Sequence, residues 1–453
     1  MQTHKLYHEA AQKGDRSFLK RASPTAKGEP GGVKMDITFH GGVGEVGGSN
    51  TTVRTDDATI ALDYGIKVDE GLNYAMNKDV DAIAVTHAHL DHSGNILTTA
   101  DQDTVVIGSA ATRDVTSELL HDMIKIHRQD EKPFPYATHD VYRIMDRWST
   151  RTRTALPGME IELLPAGHVL GANMVHLKAE SKHVLYTGDF CLHDTEILNG
   201  ADVGLLPHAP DALIMESTYG GTVHKRREEL VDTLIERIQE TMQAKGNILL
   251  PTFAFHRSQE MTRRIDKALG DGKLRKYNAY YISGLAHRIA AFYDDYKGLL
   301  SKEVQAASQP FRYRRVKRIR RTGQVREPAL VICTPGFGHA GASLQLLKKW
   351  AGREANTVIV SSGYLPEDSP LNLAREGKPI SANGREVDVE ASIEQIQLSG
   401  HADQGELIEF VKRLRPKRTF LVHGNPDQCD ALSELIGDFT DVAIPHRDEA
   451  FTI

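Results

Sequence analysis

The chain has 453 residues, 40% of them apolar, with 38 Gly and 18 Pro; it is too long for one ordinary core and too apolar to be disordered, so two or three packed cores are expected. A formal charge of −6 means that a polyanionic ligand must be met by local basic patches and not by the field of the whole molecule. No apolar run approaches the roughly eighteen residues of a membrane span, Met1–His8 lacks an apolar signal core, and three scattered cysteines, Cys191, Cys333 and Cys429, exclude a disulfide framework and fit a reducing cytoplasm.

Residues 1–35 read as a basic extension, in which Lys5, Lys13, Arg16, Lys20, Arg21, Lys27 and Lys34 outnumber Glu9, Asp15 and Glu29. It ends in a linker-like Gly/Pro stretch and is read as either a mobile tail or a short packed helix. Short β-like runs follow at Asp36–Phe39, Asn50–Arg54, Thr59–Asp63 and Asp81–Val85. The Gly-rich stretch His40–Ser49 between the first two is no dinucleotide fingerprint, because a strand follows it where that motif needs a helix. Consecutive strands imply an antiparallel or mixed sheet. Helical periodicity covers 113–130, 228–244 and 258–270. Strands recur at Asn247–Leu250, Ala329–Cys333 and Thr357–Ser361, an α/β alternation. The tail reads strand (393–398), helix (404–414), strand (419–422).

The densest chemistry lies in Thr86-His-Ala-His-Leu-Asp-His-Ser93. His87 and His89 lie two apart at a strand end and can face the same way. Asp91 and His92 are adjacent, so both reach inward only if the chain turns there. Four crowded potential ligands with no cysteine near suit cations that hold a reactive water, and the spacing suggests two cations. Asp63, His168 and Asp189 stand at other strand ends or turns and supply the missing nitrogen and carboxylates. Each alone is more often a turn or cap residue.

In order and context, Asp63, His87, His89, Asp91, His92, His168 and Asp189 resemble the binuclear motifs of the metallo-β-lactamase fold. The resemblance implies that His87, His89 and His168 hold one zinc and Asp91 with His92 a second. Asp189 would bridge the two zinc ions (two Zn2+ per chain), and Asp63 would orient a ligand histidine. Three later segments are similar to motifs A, B and C of the β-CASP nucleases: Glu216 in Leu213–Gly220, His401 in Gln397–Asp403 and His423 in Phe420–Asn425. That family includes ribonuclease J and the endonuclease of the pre-mRNA cleavage and polyadenylation complex. By the resemblance His423 completes the second zinc and favours RNA over DNA. His401 would protonate the leaving oxygen while Glu216 holds its imidazolium. Asp91, Glu216, His401 and Asp63 are therefore the expected catalytic set.

The implied fold is α/β: a metallo-β-lactamase αββα sandwich of residues 36–205 and 391–453, with a β-CASP domain of residues 206–390 inserted. The implied activity is hydrolysis of single-stranded RNA in RNA processing or decay, by a hydroxide between two zinc ions, with 5′-phosphate and 3′-hydroxyl products. Sequence does not separate endonuclease from 5′-to-3′ exonuclease action. A thioester or lactone hydrolase on the same core would need neither the insertion nor Glu216, His401 and His423. A DNA nuclease is disfavoured by His423, and a non-catalytic binding subunit by the intact ligand set. Asn425 stands where many members of the family have Glu behind the metal ligands, and the loops 336–343 and 363–369 depart from the family pattern on its substrate side. Phe311–Arg321 carries seven Lys/Arg in eleven residues. Arg314, Arg315 and Lys317 there are candidates for RNA contact, equally readable as a charged edge strand. The apolar Val442–Pro445 and Phe451–Ile453 support a homodimer only by analogy.

Overall fold

Short β-branched runs separated by Gly and Asp favour hairpins, and the computed structural model of the protein begins with them. It describes residues 34–453 except 68–69, 74–78, 130–133, 364 and 383–384. The basic extension lies outside the described residues as far as residue 33. Met35 belongs to the body: it is fully buried, and its backbone N–H and C=O pair with Ile453.

Strands β1 (Asp36–Gly41), β2 (Asn50–Arg54) and β3 (Thr59–Leu62) form an antiparallel meander. Strands β4 (Ala82–Ala84), β5 (Val105–Ile107) and β6 (Trp148–Ser149) extend it in parallel. The helix Ala110–Gln129 buries two rows spaced by four, Val115, Leu119, Met123 and Thr116, Leu120, Ile124, the pattern of a helix with one apolar face. With Thr138–Asp146 it covers Ile83, Val85 and Val106 on the outer face of this sheet.

A second sheet begins with consecutive antiparallel strands β7 (Arg153–Leu156), β8 (Met159–Pro165), β9 (Asn173–Ala179) and β10 (Lys182–Tyr186). Next to β10 lies β11 (Ala212–Glu216), in parallel. The chain then builds a third sheet from β12 (Ile248–Pro251), β13 (Asn278–Ile282), β14 (Val316–Arg318), β15 (Ala329–Cys333) and β16 (Thr357–Val360). After a small hairpin, β17 (Ile380–Ala382) and β18 (Arg385–Val387), it adds β19 (Ser392–Gln395). The spatial order is β14-β13-β15-β12-β16-β19, every pair parallel. Such a sheet needs cover on both faces. The helices Arg227–Gln243 and Arg257–Gly270 supply it on one side and Gly341–Trp350 on the other.

Strand β20 (Arg418–Val422) then returns beside β11, with Ala212 opposite Arg418 and Glu216 opposite Val422. The third sheet is thus inserted between two adjacent strands of the second. Strand β21 (Asp441–Ala443) ends the second sheet, and β22 (Glu449–Thr452) closes the first against β1. The two seven-stranded sheets meet face to face, the Phe39 ring 5.1 Å from that of Phe420. The helices Gln404–Leu414 and Pro426–Ile436 cover the outside of the second, which completes an αββα sandwich. The apolar terminus is used inside the subunit: Phe451 lies 4.9 Å from Phe420, and Val442 and Ile444 pack on the core. It therefore lends no support to a homodimer. No described helix is long and apolar enough to cross a membrane.

Candidate metal centre

Parallel strands deliver their carboxyl ends to one side of a sheet, and both sandwich sheets do so here. Asp63 follows β3, His87 and His89 follow β4, Asp189 follows β10, Glu216 ends β11 and His423 follows β20. Pairing of β3 with β4 puts Leu62 opposite Ala84. The Asp63 carboxylate consequently accepts from the Thr86 N–H at 2.7 Å. After His89 the chain turns into a short helix, Leu90–Ser93, which presents Asp91 and His92 together, as their adjacency required. His168 comes from the turn between β8 and β9, and its Nδ1 donates to the Gly400 carbonyl at 2.7 Å. Asp63 and His423 both have positive φ, 59° and 50°. That conformation costs a non-glycine residue about 1–3 kcal/mol and persists only where its surroundings hold it.

Three groups of ligand-type atoms result, each within 4.8 Å of one another: His87, His89, His168 and Asp189; Asp91, His92 and His423; Asp189, Glu216 and His401. In the first group His87 Nε2 and His168 Nε2 lie 3.1 and 3.4 Å from His89 Nδ1, and 3.6 and 3.7 Å from Asp189 Oδ2. Donors about 2.0–2.1 Å from a tetrahedral zinc stand about 3.3 Å apart, so these separations fit one cation. In the second group His92 Nε2 is 3.9 Å from Asp91 Oδ2 and 3.3 Å from Asp189 Oδ2. His423 Nε2 is 3.5 Å from Asp91 Oδ2. His92 Nε2, His423 Nε2 and Asp189 Oδ1 are buried with no hydrogen-bond partner, a costly state for polar atoms unless a cation takes them.

Partners on the far side of three of these rings set their tautomers. His92 Nδ1 donates to Asp63 at 2.7 Å, and His87 Nδ1 faces the Thr86 hydroxyl at 3.1 Å. With the His168 bond to Gly400, these leave the Nε2 lone pairs pointing inward. Burial pushes His87 and His168 well below the usual imidazole range and His89 down to about 4; neutral imidazole is the ligating form. Against burial, the charges of Asp189, Asp63 and Asp91 hold His92 well above that range. Against burial too, the neighbouring imidazoles keep Asp91 and Asp189 well below the usual carboxylate range. Three carboxylates, those of Asp63, Asp91 and Asp189, stand among these rings, and the donor set fits cations.

Glu216 is fully buried; its Oε1 accepts from Phe190 N–H at 2.7 Å and its Oε2 from the Thr218 hydroxyl at 2.6 Å. His401 Nδ1 donates to the same Oε2 at 2.9 Å and comes within 4.0 Å of Asp189 Oδ2. Although burial opposes it, the charges of Glu216 and Asp189 push the His401 pKa up to about 9. The His401 side chain keeps 21% of its surface open, so it lies where the cluster meets solvent.

The structure brings together Asp63, His87, His89, Asp91, His92, His168, Asp189, Glu216, His401 and His423. Arg314, Arg315 and Lys317 are elsewhere. They belong to the exposed edge around β14, where the backbone N–H groups of Arg314 and Arg315 donate to Asp266 and the Arg315 guanidinium packs over Gly270. His256 is buried beside the Tyr293 hydroxyl, 3.0 Å away, and is not a member of the cluster.

Several parts of the centre escaped the sequence reading. Tyr186 donates to Asp63 at 2.9 Å, and Thr218 joins Glu216 to His423, whose Nδ1 is 3.2 Å from its hydroxyl. The Gly-rich stretch proves to be the floor of the second ligand group. Gly47 packs on the Asp91 side chain, Ser49 N–H donates to Asp91 O at 2.9 Å, and Gly42 O accepts from His423 N–H. Gly65 lies so close that a Cβ there would stand 1.7 Å from Asp91 O. The density of glycine around 40–48 was the available signal; what those glycines touch was not in the sequence.

Comparisons with known proteins agree with this geometry. Residues 43–249 match the metallo-β-lactamase superfamily, 258–370 the Beta-Casp domain, and 386–445 the Zn-dependent metallo-hydrolase RNA specificity domain. A probable RNase, MJ4, of Methanocaldococcus jannaschii is 29% identical over 88% of this chain and 95% of its own length. Transcription termination factor FttA of the same organism is 30% identical over 87% of this chain and 67% of its own. Cleavage and polyadenylation specificity factor 73 of Drosophila melanogaster is 28% identical over 78% of this chain, which spans about half of that relative, 53%. A solved structure of an Enterococcus faecalis protein of unknown function superposes with a TM-score of 0.56 at 15% identity, covering 93% of this chain and 100% of its own, and supports the fold alone. With motifs A, B and C converging on one cluster and all three family domains in order, the chain belongs to the β-CASP metallo-hydrolases of the metallo-β-lactamase superfamily.

Proposed function

We propose that the protein is a cytoplasmic, zinc-dependent ribonuclease that hydrolyses phosphodiester bonds of single-stranded RNA. The observation that carries this reading is the His401–Glu216 pair, which stands against Asp189 at the edge of the two ligand groups. A thioester or lactone hydrolase would not need the third sheet inserted between β11 and β20. Relatives named as RNases support RNA, as does the match to an RNA specificity domain over 386–445, which contains both His401 and His423.

His87, His89, His168 and Asp189 would hold one zinc, and Asp91, His92 and His423 a second shared with Asp189. When bound, the cations supply Lewis acidity toward the phosphate and lower the pKa of a water. Asp63 fixes the His92 ring through Nδ1. Glu216 holds His401 by Nδ1, so Nε2 is the atom that gives its proton to the departing 3′ oxygen. The products are then a 5′-phosphate and a 3′-hydroxyl. The insertion of the third sheet between β11 and β20 supports a sandwich interrupted by a second domain, but with bounds shifted from the expected 36–205, 206–390 and 391–453: β11 (Ala212–Glu216) belongs to the sandwich and β19 (Ser392–Gln395) to the inserted sheet.

Incubation of the zinc-loaded protein with circular and linear single-stranded RNAs bearing 5′-triphosphate, monophosphate or hydroxyl ends tests the reading. Opening of the circle is expected, and it identifies endonuclease action; preference for the linear 5′-monophosphate identifies 5′-to-3′ exonuclease action. No cleavage of any RNA, with no difference between wild type and His401→Ala, would overturn it.

A further inference from the structure

The loop leaving β12 carries two phenylalanines of opposite character. Phe255 is buried, with its ring 5.3 Å from that of His89 in the metal centre. Phe253, two residues earlier, leaves 38% of its surface open. A lone exposed phenylalanine needs no explanation, but this one is built in. Phe337, from the loop after β15, meets its ring edge-on at 5.0 Å. Gly336 backs the ring so closely that a Cβ there would come within 3.1 Å of it. Exposed His339 follows on the same loop, its ring 6.4 Å from that of Phe337.

These rings stand at the carboxyl edge of the third sheet, on the loops that leave β12 and β15. β12 and β15 are neighbours at the centre of an all-parallel sheet. From β12 the chain populates one side with β13, β14 and β15 and then the other with β16 and β19. That is a topological switch point, and open α/β sheets bind ligands in the crevice at the carboxyl ends of the strands flanking it. The loop is also fixed. Thr252 N–H donates to Cys333 O at 2.9 Å, Phe253 O accepts from Ser258 N–H at 3.1 Å, and Ala254 O accepts from Gln259 Nε2 at 3.0 Å. A ring already held in place loses little entropy on binding.

We propose that Phe253, backed by Gly336 and Phe337, is a stacking platform for one base of the RNA substrate, next to the scissile phosphate. The inference rests on the ribonuclease reading and deepens it. A single residue, Ala254, separates the platform from Phe255, so a base on Phe253 is tied in position to a phosphate at the metal centre. Stacking accepts any base, because each has a π-face, and it requires that the base be unpaired. The platform thus selects single-stranded RNA and sets where along it the cut falls, without reading sequence.

The test uses RNAs carrying 2-aminopurine at successive positions around the cleavage site. Binding is followed by fluorescence in zinc-loaded His401→Ala protein with and without Phe253→Ala, Phe253→Trp or Phe337→Ala. Cleavage by the same platform variants is measured with His401 intact. At one position the fluorescence is expected to be quenched on binding. Phe253→Ala should remove that quench and raise KM by about 10- to 100-fold, the size of one base–aromatic stack, with kcat little changed. Phe253→Trp should restore both, and Phe337→Ala should show a smaller loss with an unchanged melting temperature. Cleavage of RNA by wild type and Phe253→Ala with the same KM and quench would overturn the platform and leave the ribonuclease reading standing. A rise in KM that tryptophan fails to reverse also overturns it. RNA cut by no variant and not by wild type removes both.

Discussion

Loss of the His401 ring would leave the nitrogens of the two ligand groups in place, because its one close bond in the centre is to Glu216. His401→Ala is therefore expected to lower turnover by about 10²–10⁴-fold, the ordinary weight of a general acid, with zinc content by atomic absorption unchanged. Asp63→Ala acts in the opposite sense. It frees the His92 ring and orphans the Tyr186 hydroxyl, so metal affinity should fall by about 10–100-fold, measured by competition with a chromogenic chelator. Gly65→Ala should be as damaging as loss of a ligand, since the atom its Cβ would strike is the backbone oxygen of Asp91 and cannot rotate away; zinc stoichiometry reads this directly. At this scale the identities of the ligands were legible, because crowded His and Asp have few other uses. The glycines and hydroxyls that hold them were not, because Gly and Thr are common everywhere.

Among elements, the helix Arg257–Gly270 carries a buried charge cluster. Glu260 is almost fully buried and pairs with Arg227 and Arg257, with Arg264 nearby. Arg227 also donates to Ser399 O at 2.9 Å, two residues from His401. Against the burial that would raise it, the three guanidiniums hold the Glu260 carboxyl well below the usual carboxylate range. A carboxyl depressed in the folded state stabilises at pH values above its unfolded pKa, and the contribution fades as pH falls through the folded value. Glu260→Gln should thus cost about 3–5 kcal/mol at neutral pH, as when one partner of a buried ion pair is removed. The melting-temperature gap from wild type should stay constant down to about pH 5 and narrow only in stronger acid. Widening of the gap on acidification would refute the assignment of a charged Glu260. The helix itself was legible from its period, as were Ala110–Gln129, Arg227–Gln243 and Gln404–Leu414. Strands β7 to β9 and β13 were not, because half-exposed or short runs such as Arg153–Leu156 carry little pattern.

For the whole molecule, metal and fold are coupled, because the ligands come from both sheets of the sandwich and from the turn that holds His168. Chelation should lower the melting temperature, and zinc should restore it by RT ln(1 + [Zn]/Kd), about 2.7 kcal/mol at a hundredfold excess over Kd; an unchanged melting curve would contradict the ligand assignment. By itself the sequence determined the ligand types, the helical periods, the change from consecutive strands to alternating helix and strand and, through motifs A to C, the family. Those features are local, readable within a few residues of one another. Only the tertiary structure decided which local features meet: Glu216 beside His401 across 185 positions, His168 beside Gly400 across 232, and the Gly-rich stretch under Asp91 and His423. Strand neighbours and register depend on burying both faces of each sheet at once, and no window of sequence contains that condition.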